Sequence, residues 1–75
     1  MNLKAIGKNQ VEIALDENTT VFFSYEDPVA ARVKGAYYRT DKKWSTTTSR
    51  HITAWLAGNM ADEKPQSFFD CIGGK

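Results

Sequence analysis

Between positions 32 and 51 stand six cations, Arg32, Lys34, Arg39, Lys42, Lys43 and Arg50, against a single acid, Asp41. The remaining chain carries four cations and eight acids, so a formal net charge of +1 hides a strongly basic middle. Tyr37, Tyr38, Trp44 and the hydroxyl run Thr46 to Ser49 are interleaved with these cations. Such a mixture suits a nucleic-acid backbone. Lys and Arg neutralise phosphate and release counterions, aromatic faces stack on bases, and hydroxyls bind phosphate oxygens. The same patch suits docking to an acidic protein surface, and charged exposed strand faces also occur with no partner at all. The expectation is a partner-binding face made of Arg32, Lys34, Arg39, Lys42, Lys43 and Arg50, with Tyr38 or Trp44 stacking. It requires those side chains to converge on one water-facing surface.

Catalytic chemistry finds little support. His51 and Cys71 are the only residues of their kinds among 75. Nucleophilic catalysis needs a base placed beside Ser or Cys, and no triad spacing or nucleophile elbow is present. There is no glycine-rich phosphate loop and too few soft ligands for a structural zinc. The reading is a non-enzyme without metal or small-molecule cofactor, in which His51 packs or caps. One cysteine cannot form an internal disulfide, and a lone thiol suits a reducing cytosol. No run of about eighteen apolar residues is present, so no membrane helix is expected. Met1 to Ala5 lack the apolar stretch of a secretory signal. A cytoplasmic location follows as an expectation.

The elements that must position these residues are short. Val11, Ile13 and Leu15 alternate with polar neighbours, the period of a half-buried strand. Leu3 to Ile6 is a weaker strand before it, and Gly7 to Asn9 and Asp16 to Asn18 supply turns. Thr20 to Tyr25 is rich in β-branched and aromatic residues. Val21, Phe23 and Tyr25 share one face, and Phe22 and Ser24 the other. With Phe22 and Phe23 back to back, a helix or a dimer partner must cover the second face. Pro28 removes a ladder donor and is expected at an edge or turn. Strands then follow over Val29 to Lys34 and Ala36 to Thr40. Asp41 and Lys42 are expected at a hairpin tip that returns through Lys43 to Ser45. Tyr37 and Tyr38 point to opposite faces, one buried and one exposed. Trp44 is either core or an exposed stacking residue.

Beyond position 45 the period changes. Ile52, Trp55 and Leu56 mark one helical face over about 47–57. The N-cap is expected within Thr46 to Ser49 and a C-cap at Gly58. A helix this short is marginal alone, so Trp55 and Leu56 must pack on the sheet. Asn59 to Lys64 reads as a loop. Pro65 opens a second short helix carrying Phe68, Phe69 and Ile72, ended by Gly73 and Gly74. The fold class is α+β: one domain over 1–75, a small antiparallel sheet of four to six short strands, one packed helix, and a short C-terminal helix. A chain of this size buries only about 60 % of its unfolded surface, so oligomerisation or dense aromatic packing is expected to support it.

The stretch FFSYEDPVAA (Phe22 to Ala31), then YYRT (Tyr37 to Thr40) and WSTTTSRHITAWL (Trp44 to Leu56), with the ending PQSFFD (Pro65 to Asp70), resembles a family of small uncharacterised bacteriophage proteins. The resemblance covers most of the chain from Thr20 onward. It implies a viral accessory protein in the host cytosol that acts by stoichiometric binding, and it carries no catalytic residue. The leading expectation is attachment to nucleic acid through the basic and aromatic hairpin face. The alternatives are a protein–protein inhibitor or modulator of a host defence or transcription complex, and a structural homodimer with Phe22, Phe68 or Phe69 at its seam.

Overall fold

The structure is a computed structural model that describes residues 2–72, with Asn2 described by its backbone. Strands β1 (Asn2–Gly7), β2 (Gln10–Asp16), β3 (Thr19–Ser24), β4 (Asp27–Val33) and β5 (Ala36–Thr40) form an antiparallel meander. Helix α1 (Thr46–Leu56) then crosses the sheet to β6 (Ala61–Lys64), which pairs parallel with β5. Helix α2 (Gln66–Ile72) follows. The sheet order is therefore the chain order, β1 to β6. The α+β class and the six-stranded count agree with the sequence reading.

Each meander connection is a two-residue turn, which fixes the register of the strands it joins. Between β4 and β5, Lys34 (φ 51°) and Gly35 (φ 82°) both adopt the left-handed conformation of a type I′ turn. Lys34 N donates to Asn18 O at 2.7 Å, tying this turn to the one between β2 and β3. Tyr25 (φ 58°) turns the chain between β3 and β4, and its amide donates to Asn9 O at 2.7 Å.

Register places Glu12, Phe22, Ala30 and Arg39 in one row across the sheet, and Ala14, Thr20, Arg32 and Tyr37 in the next. Helix α1 covers this face. Phe22, Val29, Ala30, Ile52 and Leu56 form the buried cluster, with Tyr37, Trp44, Trp55 and Ala61 packed against it. Trp55 lies flat on Phe22, with centroids 5.2 Å apart and planes at 15°. The opposite face carries Leu3, Ile13, Val21, Ala31 and Tyr38 in one row. Helix α2 packs over β4, where Phe69 is fully buried and Phe68 meets the Tyr38 ring at 5.7 Å. The back-to-back phenylalanines of β3 thus signalled two apolar faces, and two helices share the covering.

Several local expectations are corrected. No hairpin turns at Asp41 and Lys42, and Lys43 to Ser45 are not a strand. Asp41 N donates to Lys64 O (2.9 Å) and Lys42 N to Thr40 Oγ1 (3.1 Å), so the chain bends away toward α1. The strand beside β5 comes instead from residues 61–64, read as a loop because Asp62 and Glu63 are poor strand formers. Parallel pairing after a helical crossover has no local signature. Pro28 lies within β4, an interior strand, rather than at an edge or turn. The register shifts between Phe22 and Phe23, and this bulge accommodates the missing donor. The N-cap is Ser45, whose hydroxyl accepts from Thr48 N at 3.2 Å, not a member of the Thr46 to Ser49 run. The C-cap is Ala57 in the left-handed region, one residue before Gly58. Gly73 and Gly74 lie outside the described residues.

Candidate binding cleft and the basic residues

The six cations do not share a surface. Arg32 is exposed on the α1 side of β4. Lys34 occupies the β4–β5 turn, at one end of β5. Lys42 and Lys43 follow the other end of β5, roughly 16 Å away by strand rise over five residues. Arg50 is on the exposed side of α1, beside Ser49 and Thr53. Arg39 is half-buried, and its Nε is enclosed without a hydrogen-bond partner. Among the described residues no ion pair joins these cations to a carboxylate.

The aromatic candidates are also committed. Trp44 Nε1 donates to Gln66 Oε1 at 3.2 Å, and Lys42 Nζ stands 4.3 Å over its ring. Half-buried and with its ring packed against the core cluster, Trp44 is not a free stacking platform. Tyr37 and Tyr38 are both half-buried, not one buried and one exposed. Tyr37 meets the Trp55 ring under α1 (5.8 Å) and Tyr38 meets Phe68 under α2. Lys64 Nζ adds a cation over the Tyr38 ring at 5.5 Å.

Helix α1 leaves the β1–β2 end of its face open, and a cleft of about 470 Å³ remains there. Lys4, Glu12, Thr20, Arg32, Tyr37 and Trp55 are among its walls. Register explains the assembly. Lys4 stands opposite Glu12, Glu12 opposite Phe22, and Thr20 opposite Arg32, which is itself opposite Tyr37. Trp55 Nε1 donates to Glu12 Oε1 at 3.1 Å, which holds the indole against the sheet as the inner wall. Thr20 is only 6 % exposed, and its hydroxyl has no partner among the described residues. Of these residues only Arg32 belonged to the basic ribbon singled out in the sequence. Lys4, Glu12 and Thr20 become neighbours only through strand register.

A second cluster lies under the first turns of α1. Ser24 Oγ and His51 Nδ1 are 2.8 Å apart, and Ser24 Oγ is 3.3 Å from Thr48 Oγ1. The Tyr25 ring stands 5.9 Å from that of His51. A serine beside a histidine is the pairing that activates a nucleophile. Here Ser24 is 1 % exposed, so its hydroxyl serves as a buried tie between β3 and α1. The packing role expected of His51 matches this contact. Their separation of 27 residues hides the pair from any local motif. A third cluster centres on Gln66, which the sequence reading did not single out. Its Oε1 accepts from Thr40 Oγ1 (2.8 Å) and Trp44 Nε1, and its Nε2 donates to Pro28 O (2.7 Å) and Asp70 Oδ1 (3.2 Å).

Among the described residues no group of three or more His, Cys, Asp or Glu is placed to hold a metal ion. No helix among the described residues is long and apolar enough to cross a membrane. No curated protein and no solved structure matches the chain. Residues 1–71 match the Family of unknown function (DUF8033), and the chain belongs to that family.

Proposed function

We propose that this chain is a non-enzymatic binding module that works by stoichiometric association, and that its first partner is a second copy of itself, paired through strand β1. The observation that carries this reading is the state of that edge. β1 is a six-residue outer strand whose large apolar side chains, Leu3 (68 % exposed) and Ile6 (42 % exposed), remain uncovered. The other edge, β6, is blunted by being four residues long and carrying Asp62, Glu63 and Lys64, the usual protection against pairing. β1 has only Lys4 as a charge. Antiparallel self-pairing centred on Ala5 sets each Lys4 opposite an Ile6, so no like charges face each other. A dimer also supplies the support that a core of this size needs. Its seam differs from the one expected from sequence, because Phe22 and Phe69 are fully buried within one chain. The enclosed Ser24 hydroxyl supports the non-catalytic part of the reading. In light scattering the chain is expected at twice its 8.4 kDa, and Leu3→Lys with Ile6→Lys at one times that mass with unchanged circular dichroism. A wild-type chain that stays monomeric at high micromolar concentration would sink the proposal.

A second reading, nucleic-acid attachment, is favoured by the exposed Arg32, Lys34, Lys42, Lys43 and Arg50, none ion-paired among the described residues. The resemblance to small bacteriophage proteins supports reading either activity as a viral accessory role in the host cytosol, and a free thiol at exposed Cys71 suits that compartment.

A further inference from the structure

We propose that the cleft between α1 and the β1–β2 end of the sheet binds a phosphate group carried on a hydroxylated ligand, the chemistry of a sugar phosphate or of a nucleic-acid strand. Four observations meet there. Lys4 and Arg32 reach the same cleft from β1 and β4, and neither is ion-paired among the described residues. Two cations against the single carboxylate of Glu12 leave the concavity net positive and favour an anionic ligand, and an Arg fork matches phosphate oxygens. Thr20, more than nine-tenths buried, lines the cleft with a hydroxyl that has no partner. That hydroxyl is not enclosed and opens to the water of the cleft, and a phosphate oxygen would take the place of that water and accept its proton. Glu12 stands in the same wall with Oε1 already accepting from Trp55 Nε1. A bare anion would be repelled by that carboxylate. A ligand whose phosphate adjoins hydroxyl groups instead donates a hydrogen bond to it while its phosphate meets Lys4 and Arg32. The volume, about 470 Å³, falls within the range of small-molecule sites. The proposal does not require the β1 pairing above, although Ile6 borders both, since Lys4, Glu12, Thr20 and Arg32 meet within one chain.

The two tryptophans give the test an internal control. In a ¹H–¹⁵N titration, ribose 5-phosphate is expected to move the Trp55 indole N–H saturably and to leave that of Trp44 in place. Arg32→Ala is expected to weaken binding about tenfold, the effect of one charge-assisted hydrogen bond, and Thr20→Val severalfold. Inorganic phosphate is expected to bind more weakly than the sugar phosphate. A short single-stranded oligonucleotide that moves Trp55 more tightly than ribose 5-phosphate assigns the phosphate to a nucleic-acid strand, and the reverse order assigns it to a small metabolite. No saturable shift of Trp55 with any of the three probes overturns the proposal. So does binding that is unchanged in the Lys4→Ala, Arg32→Ala double variant when its spectrum shows it folded.

Discussion

Gln66 shows what one side chain can hold. Its amide joins β4 through Pro28 O, β5 through Thr40, the 41–45 loop through Trp44, and α2 through Asp70. Thr40 is buried, so its hydroxyl has no water to turn to. Gln66→Ala leaves several half-buried polar groups without a partner, each costing about 1–3 kcal/mol where water does not reach. Urea unfolding is expected to show a loss of about 2–3 kcal/mol, and Gln66→Glu a comparable loss because the carboxylate cannot donate to Pro28 O. A loss below about 0.5 kcal/mol, the size of an ordinary surface change, would show that the hub is dispensable. None of this is legible from the residue type, because a glutamine after a proline has no local signature. Ser24 and His51 are hidden for the same reason.

At the scale of elements, turns and caps are written locally, and most were readable. The turns after β1 and β2, the strand expected over Thr20 to Tyr25 and the helix expected over about 47–57 follow from residue type and period; the strand ends at Ser24, with Tyr25 in the turn, and the helix spans Thr46–Leu56. The Lys34–Gly35 turn demands a left-handed second residue, and Gly35 meets it at φ +82° with open space around its Cα. Gly35→Ala therefore adds strain without a clash. It is expected to cost about 1–2 kcal/mol, measured as a lower midpoint of thermal unfolding. An unchanged midpoint would show that the turn relaxes into another type. The elements that escaped the reading are those created by pairing. β6 is a strand because α1 delivers it to β5, and the expected hairpin at Asp41 and Lys42 is absent because β6 takes the place beside β5.

For the whole molecule, the charge layout carries a consequence for nucleic-acid binding. Lys34 and the Lys42–Lys43 pair lie at opposite ends of β5, Arg50 lies on the outer side of α1, and Arg32 faces the cleft. A backbone laid across one surface meets few of them together. Each phosphate contact contributes about −0.9 to the logarithmic salt slope on duplex DNA, so a slope of about −1 to −2 is expected. Gel shifts at stepped salt measure it. A slope near −5, as six converging cations would give, would show that the surface rearranges on binding.

The alternation of β2 and β3, the helical spacing of Ile52, Trp55 and Leu56, and the doubled phenylalanine of β3 determined the α+β class and the need for cover on two faces. These are one-dimensional signals, because side-chain direction follows from strand and helix period alone. Tertiary structure decided which charges became neighbours. Cations that are close in sequence were separated by a strand and a helix, while Lys4, Thr20 and Arg32 were gathered from three strands by register. Proximity across a sheet depends on pairing partners, and no stretch of chain encodes its partner by itself.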